Sequence, residues 1–169
     1  PLNLLGTVRR HRVGCSISSP TCATYGNPFR LPITEDHPQN PINPYGRTNL
    51  AVEWMLRDFD RGYGMKYCAL RYFNAAGAAP KEWAARIGED HDPETHLIPL
   101  VLQAALDPAK TVRIFGTDYD TRDGTCIRDY VHVCDLADAH ILAMERILAG
   151  GGSAAENLGH GDGYSVEER

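Results

Sequence analysis

The sequence predicts an α/β fold built on a mostly parallel sheet. Three observations favour it: apolar runs typical of buried strands, amphipathic segments with helical spacing, and the alternation of the two along the chain. Parallel sheets of this kind bind ligands at the carboxyl ends of their strands. The polar loops after Thr21, Asn74 and Asp118 are therefore the expected place for chemistry.

The first part of the chain combines a weak helix signal, a strand and a long loop. Residues 1–14 have a spacing compatible with the end of a helix, and residues 15–26 are typical of a strand that runs out into a loop. Prolines make 28–44 an extended loop. From Tyr45 to about Tyr63, apolar residues recur at spacings of three and four, which predicts an amphipathic helix.

The rest of the chain continues the alternation. We predict a buried strand over 66–73, a helix over 93–106, a short strand over 111–116, and a strand or extended segment over 126–133. A last helix ends at glycines 150–152. Its predicted apolar face consists of Leu136, Ala139, Leu142, Ala143 and Ile147.

Composition favours one globular domain without a nucleic-acid or membrane partner. Of the 169 residues 43% are hydrophobic, and the net charge of -5 argues against a broad basic surface. No apolar run approaches the roughly 18 residues that a membrane span needs. Five scattered cysteines without a C-x-x-C pair predict reduced thiols in a cytoplasm. Because the chain starts at Pro1 and stops in a charged run typical of a helix start, we expect a fragment truncated at both ends.

Tyr45 and Asn49 lie four positions apart at the start of a predicted helix, so they share one face. A phenol titrates near pH 10 in water, and its use as a base at neutral pH requires a nearby positive charge or donor network. The amide at position 49 keeps hydrogen-bond donors but carries no charge. Taken alone, Tyr45 is more typical of a partly buried tyrosine with a structural hydrogen bond than of a catalytic base.

Three long segments resemble the UDP-glucose 4-epimerases, within the extended short-chain dehydrogenase/reductase and NAD-dependent epimerase/dehydratase families. The segments are "SSPTCATYGNPFRLPITEDHPQNPINPYGRTN", "LRYFNAAGA" and "IFGTDYDTRDGTCIRDYVHVCDLADAH". The resemblance implies a partial Rossmann-like, doubly wound parallel sheet with part of a small α/β substrate-binding domain. Within the partial domain 1–169, about 1–75 would be the later part of the dinucleotide-binding sheet with the catalytic helix. About 76–169 would mix substrate-binding and returning Rossmann segments.

The resemblance also implies NAD as the cofactor, a UDP-sugar as the substrate and a homodimer. Tyr45 would be the catalytic base, and Thr21 would bridge the phenol and the sugar 4-hydroxyl. Cofactor contacts would come from Tyr45, Asn49, Tyr72 and Phe73, and substrate contacts from Thr21, Asn74, His96, Leu97, Phe115 and Arg128. Three purely structural alternatives stay open: a hydroxyl of Thr21 bonded within its own turn, a capping role for Asn74, and an ion pair between Arg128 and Asp129.

Departures from the family pattern qualify the function that we expect. Cys22 and Ala23 stand where related dehydratases carry Asp-Glu, which favours an epimerase. Asn49 replaces the family's lysine, and the glycine-rich turn for NAD pyrophosphate is absent from the 169 residues.

We therefore expect a UDP-glucose 4-epimerase, which interconverts UDP-glucose and UDP-galactose through a 4-keto intermediate, with this chain inactive alone. The alternatives are a non-catalytic remnant or nucleotide-sugar-binding pseudoenzyme, and a UDP-pentose 4-epimerase.

The string "GEDHDPETH", residues 88–96, concentrates acidic residues and histidines. Its spacing matches no ordered metal-ligand pattern, and the resembling family has the same string as a loop. His132 and Cys134 alternate across a predicted strand, and His140 lies well along a helix. We therefore predict a solvated loop at 88–96 and no metal site.

Overall fold

The computed structural model describes residues 1–80, 82 and 87–168. The helices are α1 (Leu2–Arg10), α2 (Pro44–Tyr63), α3 (Leu97–Leu106) and α4 (Val133–Leu148). The strands are β1 (Cys15–Ser18), β2 (Lys66–Tyr72), β3 (Asn74–Ala76), β4 (Ile127–Arg128), β5 (Tyr130–His132), β6 (Ala154–Leu158) and β7 (Tyr164–Ser165). In this part of the chain no helix is both long enough and apolar enough to cross a membrane.

The main sheet is parallel, with the strand order β1-β2-β6. Ile17 of β1 and Ala154 of β6 both lie opposite Cys68 in the central strand β2. The predicted α/β architecture with a parallel sheet is confirmed.

Helices cover both faces of this sheet, because successive side chains of a strand point to opposite faces. Tyr67 and Ala69 pack with Leu5 of α1 and Leu56 of α2 on one face. On the other face Cys68 and Leu70 pack with α4 residues. Burial on both faces explains the nearly continuous apolar sequence of β2.

Local signals at both ends of α2 explain its bounds. Asn43 caps the start, because its side-chain oxygen accepts a hydrogen bond of 2.7 Å from the Gly46 N–H. Pro44 occupies the first helical position, where no backbone donor is needed. Gly64 follows the last residue with a φ of +69°, in the left-handed region that favours glycine. The prediction of a helix from Tyr45 to about Tyr63 is confirmed.

Two predicted elements need correction. The helix predicted over 93–106 begins only at Leu97, since Pro99 has no N–H to donate to residue 95 and fits only in a first helical turn. The strand predicted over 111–116 is wrong. Its residues have no neighbouring strand in the sheets that the structure describes, and Phe115 is 80% exposed.

The predicted apolar face of the last helix is correct except at one position. Leu136, Ala143 and Ile147 are buried, and Ala139 packs against the same core. Leu142, however, is 64% exposed, because α4 turns only a narrow stripe towards the sheet. The weak helix signal of residues 1–14 corresponds to α1, and 126–133 divides into β4, β5 and the start of α4.

Candidate active site

Tyr45 lies in the first turn of α2 and is 62% exposed. Its backbone carbonyl oxygen accepts hydrogen bonds of 2.9 Å from the Asn49 side-chain amide and 2.9 Å from the Thr48 hydroxyl. The amide donor of Asn49 therefore serves the helix backbone. Position 49 contributes no positive charge to the neighbouring phenol.

Thr21 precedes a single 3-10 turn, Cys22–Thr24, which it caps. Its buried hydroxyl oxygen accepts a hydrogen bond of 3.1 Å from the Ala23 N–H, and its backbone pairs with Tyr72 at the end of β2. The structural alternative for Thr21, a hydroxyl that bonds within its own turn, is therefore present. A hydroxyl that accepts one such bond still has a proton to donate, so the bond is compatible with a ligand role.

Gly46 brings these two segments together, although the sequence did not single it out. A Cβ added at Gly46 would lie 2.4 Å from the carbonyl oxygen of Ala23 and 2.8 Å from Cβ of Pro41. The first turn of α2 thus packs directly against the Thr21 turn. Glycine has a low helix propensity, so a glycine inside a predicted helix usually has a packing or functional reason. This low propensity is the sequence signal that could have identified Gly46.

The residues that replace the dehydratase acid and base have no acid-base capacity at neutral pH. Burial raises the pKa of the Cys22 thiol far above its ordinary value, and the Arg71 guanidinium offsets only part of this effect. Ala23 has no ionisable group. The chemistry that remains in this turn is therefore that of the Thr21 hydroxyl.

A buried polar network, which the sequence interpretation missed, holds the surrounding elements. The Arg71 guanidinium of β2 donates to both carboxylate oxygens of Glu53 on α2, at 2.8 and 2.6 Å. A third nitrogen donates to the Tyr25 hydroxyl at 2.6 Å, and this hydroxyl donates to Asn157 Oδ1 of β6 at 2.7 Å. The network therefore joins α2, β2, β6 and the loop that carries Thr21.

The sequence signal that could have indicated this network is the presence of charged residues within otherwise apolar elements. Glu53 and Arg71 are 1% and 2% exposed, and each interrupts an otherwise apolar face or strand. Such charges are rarely buried unless they are paired. Burial also raises the pKa of the Tyr25 phenol, against the opposing effect of Arg71, so the phenol stays a hydrogen-bond donor at neutral pH.

Tyr72, Phe73 and Asn74 follow one another at the carboxyl end of β2, as predicted for a site in this fold. The Asn74 side-chain amide donates to the Asp129 carbonyl oxygen at 2.8 Å, and its backbone N–H donates to the same oxygen at 3.1 Å. Phe73 packs beside Gly159, where an added Cβ would lie 3.2 Å from its ring. Asn74 therefore makes structural hydrogen bonds within the fold, and these leave further hydrogen-bonding groups of its amide for a ligand.

Arg128 is exposed, and its guanidinium donates to the carbonyl oxygen of Ile127 at 3.1 Å. The neighbouring Asp129 carboxylate instead accepts from the backbone N–H groups of His160 and Gly161, at 3.2 and 3.0 Å. Between the residues that the structure describes, no Arg128–Asp129 ion pair forms. The guanidinium thus keeps donors that can face a ligand.

The other predicted substrate contacts lie on two further segments. His96 immediately precedes α3 and Leu97 is its first residue, while Phe115 lies in the loop between α3 and β4. His96 bonds to the carboxylates of Glu89 and Glu94. The exposed Phe115 ring would need a ligand or another surface to cover it.

The sequence matches the profile of the NAD dependent epimerase/dehydratase family over residues 1–159. The chain belongs to this family. UDP-glucose 4-epimerase of Halalkalibacterium halodurans is 54% identical over 165 residues, which are 98% of this chain and 48% of that protein. The corresponding protein of Rhizobium leguminosarum bv. trifolii is 52% identical, over 99% of this chain and 50% of that protein.

A solved member of the epimerase/dehydratase family supports the fold. The crystal structure of UDP-glucose 4-epimerase from Brucella ovis in complex with NAD superposes with a TM-score of 0.92 at 53% identity. The superposition covers 99% of this chain and 50% of that structure. The chain thus spans about half the length of the relatives that it matches, and its Rossmann-like sheet is the corresponding part of their fold.

Proposed function

We propose that this chain forms the catalytic-helix part of a UDP-glucose 4-epimerase. The observation that carries the proposal is the contact at Gly46, which packs the Tyr45 helix against the Thr21 turn in a chain 54% identical to such an enzyme. The reaction inverts C4 of the sugar and interconverts UDP-glucose and UDP-galactose. A buried Cys22 and an Ala23 beside Thr21 support epimerisation over dehydration.

Each residue then has a definite task in this reaction. The phenolic oxygen of Tyr45 takes the proton from the sugar 4-hydroxyl and returns it to the 4-keto intermediate after the sugar has turned over. Thr21 accepts from one of these oxygens and donates to the other. Arg128 binds the diphosphate, because its planar fork meets two phosphate oxygens at once. Asn74, His96, Leu97 and Phe115 complete the substrate contacts.

The residues present fit the nicotinamide side of an NAD site. Tyr72 and Phe73 lie at the carboxyl end of β2, where dinucleotides bind in such folds, and Tyr45 and Asn49 lie in the first turns of α2, which packs against the Thr21 turn. When bound, NAD supplies a reversible hydride acceptor for C4 of the sugar. Its pyrophosphate needs a glycine-rich turn at a helix N-terminus, and these 169 residues contain no such motif.

The reaction is tested in a chimera in which residues 1–159 replace the matching segment of the Halalkalibacterium halodurans enzyme, with Asn49→Lys introduced. We expect conversion of UDP-galactose to UDP-glucose, and a loss of at least about a hundredfold on Tyr45→Phe. Tyr63→Phe at the far end of α2 is the matched control. Equal rates for both tyrosine variants would contradict the role of Tyr45.

A non-catalytic nucleotide-sugar-binding protein is the second candidate. The hydrogen bond from the Asn49 amide to the Tyr45 carbonyl favours it, since the amide is then committed to the helix. Calorimetric titration of the 169-residue chain with UDP-glucose, with and without NAD, separates the two. Binding of UDP-glucose without NAD uptake, weakened by Arg128→Ala but not by Arg61→Ala, supports the second candidate. NAD uptake with epimer formation contradicts it.

We also propose a cytoplasmic location and a homodimer. Five cysteines without a disulfide support a reducing compartment. The homodimer rests on the family resemblance alone, and sedimentation equilibrium of the purified protein tests it.

A further inference from the structure

Four side chains of the loop before α3 converge in space, although their spacing in the sequence matches no metal motif. Nitrogen or carboxylate oxygen atoms of Glu89, His91, Glu94 and His96 all lie within 4.8 Å of one another. We propose that these four residues bind a divalent transition-metal ion such as Zn²⁺.

The distances approach those of a metal site. His96 Nδ1 lies 2.7 Å from Glu89 Oε1 and 2.9 Å from Glu94 Oε1, and His91 Nδ1 lies 3.2 Å from Glu89 Oε1. Bonds of about 2.0–2.1 Å to tetrahedral zinc place neighbouring ligand atoms about 3.3 Å apart. The bonded pairs would therefore move apart slightly around an ion, and any pair near the 4.8 Å limit of the cluster would move closer together.

The chemistry of the donors selects the kind of ion. Two imidazoles with two carboxylates suit Zn²⁺, Cu²⁺ or Ni²⁺, whereas Ca²⁺ and Mg²⁺ prefer sites built from oxygen alone. Without an ion, the negative charges of the two carboxylates lie in the same small volume as the two imidazole rings. A divalent cation would compensate both charges at once.

Backbone groups already orient one of the carboxylates. Oε1 of Glu94 accepts hydrogen bonds of 2.7 Å from the N–H groups of both Thr95 and His96. Such bonds to ligand groups are the usual support around protein metal sites.

The site would connect two parts of the fold. His96 immediately precedes α3, while Glu89 and His91 border a cavity of about 340 Å³ whose other walls include Gly77 of the segment after β3. An ion bound by all four side chains would fix the loop between these elements. The loop 88–96, predicted to be solvated, would then be ordered by the metal and would connect these two parts of the fold.

Calorimetric titration of the 169-residue chain with ZnCl₂ tests the proposal. We expect one equivalent of Zn²⁺ per chain, and affinities lowered at least about tenfold in both His91→Ala and Glu89→Gln. His11→Ala is the matched control, because it removes an exposed histidine that follows the C-terminal end of α1. Zn²⁺ should also raise the Tm of the unmodified chain more than that of His91→Ala.

The five cysteines are the competing ligands, and they are unchanged in every variant. Absence of stoichiometric binding, or equal affinities in His91→Ala, Glu89→Gln and the unmodified chain, would overturn the proposal. With Co²⁺ as the probe, a thiolate-to-metal charge-transfer band would assign the ion to cysteine and would also overturn it. Visible bands of tetrahedral Co²⁺ without that band support the His and Glu ligands.

Discussion

Asn49 determines how much activity Tyr45 can support. A lysine ammonium about 4 to 5 Å from a phenolate in a partly shielded site contributes on the order of 3 to 4 kcal/mol. The amide that stands there donates to the Tyr45 carbonyl at 2.9 Å and supplies no charge. In the chimera described above, we expect Asn49→Lys to raise kcat by at least about a hundredfold. Steady-state rates with UDP-galactose measure the gain.

Asn49→Gln in the same chimera is the control, because it changes length without adding charge. No gain in kcat with Lys, or an equal gain with Gln, would show that charge at position 49 does not limit the reaction.

The backbone at Gly46 leaves no room for a side chain. Its hypothetical Cβ lies 2.4 Å from a backbone oxygen, which no side-chain rotation can relieve. We expect Gly46→Ala to lower the free energy of unfolding by about 1–3 kcal/mol, as overpacking usually does. Urea denaturation measures it. Gly62→Ala in the same helix has open space around its Cβ and should be neutral or stabilising. Equal effects of the two substitutions would refute the packing argument.

At the scale of elements, the pair Glu53–Arg71 joins α2 to β2. Both residues are buried, and two hydrogen bonds of 2.6 and 2.8 Å connect them. Removing one member leaves the other charge buried and unpaired, so we expect Glu53→Ala to cost about 3–5 kcal/mol. Asp36→Ala breaks the exposed pair with Arg30 and should have little effect. Denaturant titrations compare the two, and similar losses would disprove the importance of burial.

The link between Asp60 of α2 and Lys66 of β2 makes stability depend on pH. Their side chains are 2.8 Å apart, and the Lys66 ammonium lowers the pKa of the Asp60 carboxyl. A lowered pKa adds stability above the unfolded-state pKa of about 4, and this contribution is lost as the pH falls through the folded-state value. Both groups are partly exposed, so Asp60→Asn should cost at most about 1 kcal/mol at pH 7.

Chemical denaturation of the unmodified chain and Asp60→Asn at several pH values checks this expectation. The difference in unfolding free energy should shrink as the pH is lowered below about 4. Asp58→Asn, on the exposed side of the same helix, is the matched control. A difference between the Asp60 variant and the unmodified chain that stays constant with pH would contradict the electrostatic origin.

At the scale of the whole molecule, stability concentrates in β2. This strand pairs on both sides, and Cys68, Ala69 and Leu70 are at most 1% exposed. We expect the amides of β2 to exchange with deuterium more slowly than those of β1, which has one partner among the described strands. Exchange followed by NMR or mass spectrometry measures the order. Faster exchange in β2 than in β1 would contradict it.

The sequence by itself determined the α/β class, the bounds of α2 and the candidate site residues at its start. The prediction of α2 rests on the helical spacing of its apolar residues, and the structure adds the local reasons for its bounds: the Asn43 cap, the first-turn proline and Gly64 at the end. The segments that resemble UDP-glucose 4-epimerases also indicated the family, which the comparison with its profile confirmed.

Only the tertiary structure decided which residues meet across the chain. The Glu53–Arg71 pair and the close approach at Gly46 depend on how separate segments pack, and the convergence of Glu89 with His96 depends on how one loop folds back on itself. Spacing in a sequence carries no such distances. The wrong strand prediction at 111–116 has the same origin. A segment with β propensity forms a strand only where a neighbouring strand pairs with its backbone groups.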